Sequence, residues 1–239
     1  MALNSDTFTL SPLGHIHSCF TDKFGIPRQP GLCRHARGHI ALLPPFDCDD
    51  AFRGLDDFSH VWLTFVFHQT PVATFRPLIR PPRLGGNRKQ GVFASRSPFR
   101  PNRLGLSLVR HHGLFRQDKQ LCVALSGLDL VTGTPVLDIK PHLPWCDAPG
   151  DASASWAEQP PQSVAVDFMP RARDQLRALK GRHPELEALI RDLLGQDPRP
   201  AYKKTAADPR IYGMRLYDID VHWQAVEDRI QVTDLTPDR

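Results

Sequence analysis

From Phe58 to Gln117 the chain has no aspartate or glutamate, yet it carries ten lysines and arginines there. Across the whole 239 residues the formal net charge is only +4, so the rest of the chain holds twenty bases against twenty-six acids. The charge is segregated, and segregation creates a local field that a mixed surface would not. Other absences exclude whole classes. No apolar run approaches the roughly 20 residues that cross a bilayer. The opening MALNSDTFTL lacks the basic-then-apolar layout of a secretory leader, which points to a cytoplasmic protein. Five cysteines (19, 33, 48, 122 and 146) form no CxxC pair, so a disulfide framework or structural zinc is not expected and the thiols read as reduced. There is no GxGxxG dinucleotide turn, no GxxxxGK[ST] phosphate loop, no HExxH and no GxSxG elbow. A metal-dependent hydrolase fails for want of ligands. The pair His111–His112 reads as surface histidines at a strand end.

What the sequence does have is proline, 23 in all, about twice the usual proportion of roughly 5%. Prolines at that density predict many fixed loops and short strands. The stretch HVWLTFVFH (60–68) is continuously apolar and suits a strand buried on both faces. GHIALLPP, GVFASRS, LGLSLVRHH, LCVALSGLDL and TPVLDIKPHL read as further short strands bounded by turn residues, a spacing that favours a closed or nearly closed sheet. PGDASASWAEQPPQS (149–163) is small, polar and proline-bearing and marks a boundary. Beyond it, Leu176, Leu179, Leu186, Leu189, Ile190 and Leu193 recur at helical spacing in two segments broken near Gly181–Pro184. Pro184 suits the first turn of the second helix. Two or three alternating strands end the chain. The expectation is a mainly β N-terminal barrel over 7–147, a linker over 148–163 and a smaller α+β unit over 164–239.

Four clusters carry chemistry. In FGIPRQPG (24–31), prolines limit the backbone freedom around Arg28, so the loop can present groups to a ligand at low entropic cost. His68 and Gln69 follow an apolar strand, where binding groups gather. RPPRLGGNRKQGVFASRSPFRPNR (80–103) joins seven bases, four prolines and two phenylalanines. Its cations suit phosphates, and Phe93 and Phe99 suit either base stacking or the core. In LSGLDLVTGTPVLDIKPHLPW (125–145), Asp129 and Asp138 stand in apolar surroundings. A carboxylate there must be paired or hydrogen-bonded, or its pKa rises. Arg96 and Lys140 are the expected partners.

PRQPG, RGL followed by SHVWLTFVFHQT, RPPRLGGN, GVFASRSPFRPN, GLSLV, GLDLVTGTPVLDIKP, DASASWA and DPRPAY occur in this order. Together they resemble the TsaA-like, TrmO family of tRNA methyltransferases from about residue 7 to the end. The resemblance implies transfer of a methyl group from S-adenosyl-L-methionine to N6 of threonylcarbamoyladenosine (t6A) at position 37 of tRNA, giving m6t6A. It implies a β-barrel donor domain, a homodimer with the donor near the subunit interface, and a C-terminal domain that helps bind tRNA. Carried over by motif, the donor contacts are Pro27, Arg28, Gln29, His68, Gln69, Arg96, Leu106 and the turn Ser126, Gly127, Leu128 and Asp129. Arg103 and Leu104 depart from the family pattern, which more often has an apolar pair there. Arg80, Arg83, Arg88, Lys89, Arg100, Lys140, Arg199 and Tyr202 are the expected tRNA contacts. Arg28 or Arg96 suits the carboxylate of the threonyl group or of the donor. Losing the N6 proton invites a general base, for which Asp138, His68 or Asp129 qualifies by residue type, as does the substrate's own carboxylate. The rival reading is a non-catalytic basic RNA-binding module with no donor pocket.

Overall fold

The structure is a computed structural model and describes residues 8–71, 75–199 and 210–237. Strands β1 (Gly14–Ser18), β2 (Arg37–Leu42), β3 (His60–Val66), β6 (Leu104–Gln117), β7 (Gln120–Ser126) and β8 (Pro135–Pro141) form one sheet ordered β1-β2-β7-β6-β3-β8. β8 returns to pair with β1 through Gly14–Val136 and His15–Pro135, so the sheet closes into a barrel. The expected barrel strands at 38–45, 104–112, 121–130 and 134–143 are all present, with shifted ends. Closure needs no edge protection, which suits a chain of short strands.

HVWLTFVFH corrects one expectation. Its buried residues alternate, with Val61, Leu63 and Phe65 inside and Trp62 and Thr64 outside. A barrel wall has one dry face, so the outward apolar residues of β3 stay half exposed. GVFASRS is not a strand either. A two-residue ribbon, β4 (Leu78–Ile79) with β5 (Gln90–Gly91), precedes a 3-10 turn at Val92–Ala94. Gly105 marks tight packing within the barrel: a Cβ there would lie 2.2 Å from the Phe65 ring.

After a short helix α1 (Pro144–Asp147), the second unit is richer in strand than the expected α+β pattern. β9 (Ala165–Phe168) joins β10 (Tyr212–Leu216), β11 (Ile219–Val226) and β12 (Arg229–Pro237) in a sheet ordered β10-β11-β12-β9, with β9 parallel to β12. Two ten-residue helices, α2 (Pro170–Leu179) and α3 (Leu186–Gly195), connect β9 to the rest. Pro170 opens α2, whereas Pro184 lies in the turn before α3. Buried residues of the barrel and of the second unit form one hydrophobic cluster, from Ile16 and Phe20 through Leu189 to Leu235. No helix among the described residues is long and apolar enough to cross a membrane. All five cysteines are free, three of them buried.

Candidate functional site at the barrel mouth

Every neighbouring strand pair in the barrel is antiparallel. Alternation therefore brings three connections to the same end: 19–36 between β1 and β2, 67–103 between β3 and β6, and 127–134 between β7 and β8. The first two carry Pro27, Arg28, Gln29, His68, Gln69 and Arg96, and the third carries Gly127, Leu128 and Asp129. β7 and β8 sit on opposite sides of the barrel, so the third connection must cross the mouth. Leu128, Leu130 and Val131 plug it from within. Hydrogen bonds stitch the crossover down: Ser18 Oγ donates to Leu130 O (2.7 Å), Thr132 N to Phe20 O (2.9 Å) and Gly133 N to Ile16 O (2.7 Å).

Asp129 lies in this crossover and reaches inward. Ser107 points into the barrel from β6 and donates its hydroxyl to Asp129 Oδ1 at 2.7 Å. Burial pushes the Asp129 carboxyl up to about 6, while the Ser107 hydrogen bond, its own backbone N–H and the Arg96 charge pull the other way. Arg96 Nη1 donates to Gln29 Oε1 at 2.6 Å and so bridges two of the three connections. The loop that holds Arg96 is shaped by serines: Ser95 Oγ donates to Val92 O (2.8 Å), Ser97 N to Ser95 Oγ and Phe99 N to Ser97 Oγ. These local bonds are what turn SRSPF away from a strand. Gly31 N donates to Gly127 O at 2.9 Å. Both glycines have positive φ (75° each), and a Cβ on Gly127 would sit 3.4 Å from Gly31 Cα. The two backbones meet as a glycine cradle, each in a left-handed conformation that L side chains rarely adopt.

His68 stands at the lip beside the crossover, 3.9 Å from a Cβ built on Gly133. Its pKa is lowered by burial and by the Lys23 charge, so the ring is neutral near pH 7. Lys23 Nζ donates to Gln69 O at 2.7 Å. Arg103, the departure from the family pattern, has φ 51° and donates to Thr70 O at 2.8 Å, which ties the two ends of the 67–103 connection together.

Several expected residues lie elsewhere. Leu106 and Asp138 flank Thr64 across neighbouring strands, on the outer wall below the lip. Asp138 pairs with Lys140, as the charge pattern predicts, so neither group is free at the mouth. Leu128 is fully buried and Ser126 nearly so; Ser126 Oγ is bonded to His112 Nε2 at 2.7 Å. Any ligand contact from these two runs through backbone. His111 is buried rather than on the surface. Arg100 turns onto its own loop, donating to Ser95 O (2.7 Å) and Val92 O (3.2 Å). Arg199 is 7% exposed and forms a two-pronged pair with Asp197 (2.8 and 3.0 Å), so its guanidinium faces inward rather than toward solvent. Tyr202 lies outside the described residues. Arg80, Arg83, Arg88 and Lys89 are exposed, and Arg83 donates to Gln159 O in the linker. Phe93 is 70% exposed, so core packing does not account for it.

Sequence reasoning missed Ser107, Gly31 and Lys23. Ser107 left a signal: a small polar residue at an inward position of an alternating strand. Gly31 left one too, closing the proline-framed turn.

The mouth is thus a basic, glycine-cradled site on a β-barrel with a second unit packed beside it. Comparison with known proteins gives the family. The tRNA-methyltransferase O N-terminal domain matches residues 15–148 and the TrmO C-terminal domain residues 161–238. The tRNA (adenine(37)-N6)-methyltransferase of Escherichia coli (strain K12) is 45% identical over 232 residues, covering 97% of this chain and 99% of the relative. A putative S-adenosylmethionine-dependent methyltransferase, RcsF, of Pseudomonas aeruginosa is 50% identical over 232 residues, covering 96% and 98%. The crystal structure of TrmO from Pseudomonas aeruginosa superposes with a TM-score of 0.80 at 43% identity, covering 96% of this chain and 98% of that one. The chain belongs to the tRNA-methyltransferase O family.

Proposed function

We propose that the acceptor is N6 of t6A at position 37 of tRNA and the product m6t6A. The reaction class is the family's, S-adenosyl-L-methionine-dependent methyl transfer to tRNA. The observation that carries the proposal is the convergence of three sequence-distant connections on one basic mouth. The mouth suits the donor: the Gly31–Gly127 cradle admits close backbone approach, Arg28 and Arg96 suit a carboxylate, and Gln29, His68 and Gln69 offer amide and ring donors at the lip. S-adenosyl-L-methionine supplies an electrophilic methyl group. The chain's own work is to align acceptor and donor and to handle a proton. As N6 gains the methyl group it must lose its hydrogen. Asp129 is the buried carboxylate of the crossover at the mouth, and its Oδ atoms are the assigned acceptor. Asp138, engaged by Lys140, and neutral His68 at the lip are the alternatives.

The threonyl carboxylate of t6A adds an anion that the basic mouth accommodates. Exposed Arg80, Arg83, Arg88 and Lys89 meet anticodon-arm phosphates, and Phe93 stacks on a splayed base. Residues 7–147 hold the donor, 148–163 link, and 164–239 assist tRNA binding. A second copy covers the outer wall, where Leu106 (53% exposed) and Leu104 lie on one face of β6 beside the lip. The enzyme works in the cytoplasm, where its tRNA is.

The test is methylation of two purified tRNAs that differ only in carrying t6A or plain adenosine at position 37, read by nucleoside mass spectrometry. Methyl transfer to t6A alone is expected; equal transfer to plain adenosine overturns the t6A assignment. Titration with S-adenosylhomocysteine separates this reading from a non-catalytic RNA-binding module, which binds tRNA but not that ligand.

A further inference from the structure

The 19–36 connection is eighteen residues long and has almost no secondary structure of its own. It is held from two sides, by the barrel's own connections and by the second unit. At its start, Phe20 bridges to Leu216 and Tyr217 N donates to Cys19 O at 2.8 Å. At its end, α3 takes over. Asp192 Oδ2 lies 2.8 Å from His35 Nδ1 and also receives the His35 backbone N–H at 3.4 Å. Gln196 Nε2 donates to Leu32 O at 3.4 Å, and Cys33 Sγ lies against Leu189 O. Arg37, the first residue past the connection, pairs with Glu185 just before α3. Between these anchors the tip bearing Pro27, Arg28 and Gln29 is tied to the barrel by Arg96 to Gln29, Gly31 N to Gly127 O and Lys23 to Gln69. The Asp197 charge, just past α3, acts on Arg28 against the burial that lowers its pKa.

We infer that α3 belongs to the methyl-donor site, with Asp192 as a positioning residue that sets the 27–29 tip through His35. The inference rests on the reading above that this tip holds the donor. A loop ordered before binding does not lose that freedom on binding, so releasing an anchor weakens affinity without removing a contact. The second unit then does more than assist tRNA binding: it braces the outer side of a loop that the barrel holds from within.

The experiment is calorimetric titration of the full chain with S-adenosylhomocysteine, with donor KM and kcat on tRNA alongside. Asp192→Ala is expected to weaken binding about fivefold and raise donor KM by a similar factor, with kcat at saturating donor within about twofold. Asp192→Asn, whose amide oxygen still accepts from His35, recovers most of the loss. The Arg28→Ala, Asp192→Ala pair binds about as weakly as Arg28→Ala alone, because the carboxylate acts through the tip. If Asp192→Ala lowers Tm too far to titrate, Gln196→Ala, which releases the Leu32 anchor, carries the test with an expected loss of about twofold. Wild-type affinity in both alanine variants, or full additivity with Arg28→Ala, overturns the inference while the functional reading stands. No binding by the wild-type chain removes the functional reading and the inference with it.

Discussion

The two ends of the barrel are built from the same six strands and differ in almost everything else. The mouth carries the 67–103 connection, with eight bases between Arg76 and Arg103 and no acid. The opposite end carries the 43–59 connection, with Asp47, Asp49, Asp50, Asp56 and Asp57 against Arg53 alone. The far-end charges are spent locally, in exposed pairs such as Arg53–Asp50 (2.5 Å) and Arg116–Asp49 (2.6 Å). At the mouth, Arg80, Arg88 and Lys89 stand exposed, with no ion pair or hydrogen bond to another described residue. A small net charge can therefore hide a strong dipole along a barrel axis, and the dipole rather than the sum says which end faces a polyanion.

The largest expected effect breaks the comparison at its chemical centre. Asp129→Asn is expected to lower kcat about 100-fold or more at saturating donor and tRNA, the scale of a lost general base. Asp138→Asn and His68→Ala stay within about threefold on the same assignment, and a pH–rate series reads all three. Wild-type kcat rises with pH to a plateau above about 6, where Asp129 is ionised. Stability runs the other way. A carboxyl with a folded pKa of about 6, against about 3.9 for an unfolded aspartate, binds its proton more tightly in the folded state. That contribution is fully present below about pH 4 and is lost as pH rises through about 6. Wild type therefore loses up to about 3 kcal/mol relative to Asp129→Asn across that window, measurable as Tm against pH.

Next in size is the donor contact. Arg96→Ala removes a guanidinium that bridges to Gln29 and faces Asp129, and is expected to weaken S-adenosylhomocysteine binding about tenfold. A matched Arg53→Ala at the far end changes it less than twofold, as an exposed ion pair contributes little. Equal losses at both ends would erase the distinction between them.

Much of this was legible from sequence, and the remainder failed for identifiable reasons. Strand periods and the two helices are local signals, and β3, β6, β8, α2 and α3 emerge near their predicted positions. The Asp138–Lys140 pair and the Arg96 influence on Asp129 follow from charge scarcity in an apolar stretch. The mouth itself depends on contacts no local pattern encodes: Gly31 with Gly127, Ser107 with Asp129, His35 with Asp192. GVFASRS failed as a strand because its serines satisfy the backbone locally, and local bonding competes with a ladder. Arg199 reads as a phosphate contact until Asp197, two residues away, turns it inward. β9 escaped because four residues with a parallel partner 64 residues on leave almost no pattern.

A smaller effect sharpens the electrostatic side. Replacing Arg80, Arg88 and Lys89 together by alanine is expected to reduce the slope of log tRNA affinity against log salt by about 2 to 3, since each phosphate contact accounts for about 0.7 to 0.9. Donor affinity stays unchanged, because none of the three is among the assigned donor contacts.

The smallest effect tests whether the two ends act on tRNA independently. β3 has seven residues, so the ends are about 20 Å apart at about 3.3 Å per residue. The Debye length is about 8 Å at 0.15 M salt and about 30 Å at 0.01 M. Neutralising the far end with Asp49→Asn and Asp50→Asn should therefore leave tRNA affinity unchanged at the higher salt and raise it by about twofold at the lower, where the repulsion is no longer screened. Asp49 and Asp50 are exposed, and their partners Arg116 and Arg53 remain soluble without them, so folding is not at issue. A gain that persists at 0.15 M would mean that tRNA reaches the acidic end directly and wraps the barrel wall, so that the mouth would no longer be the one end of the barrel it meets.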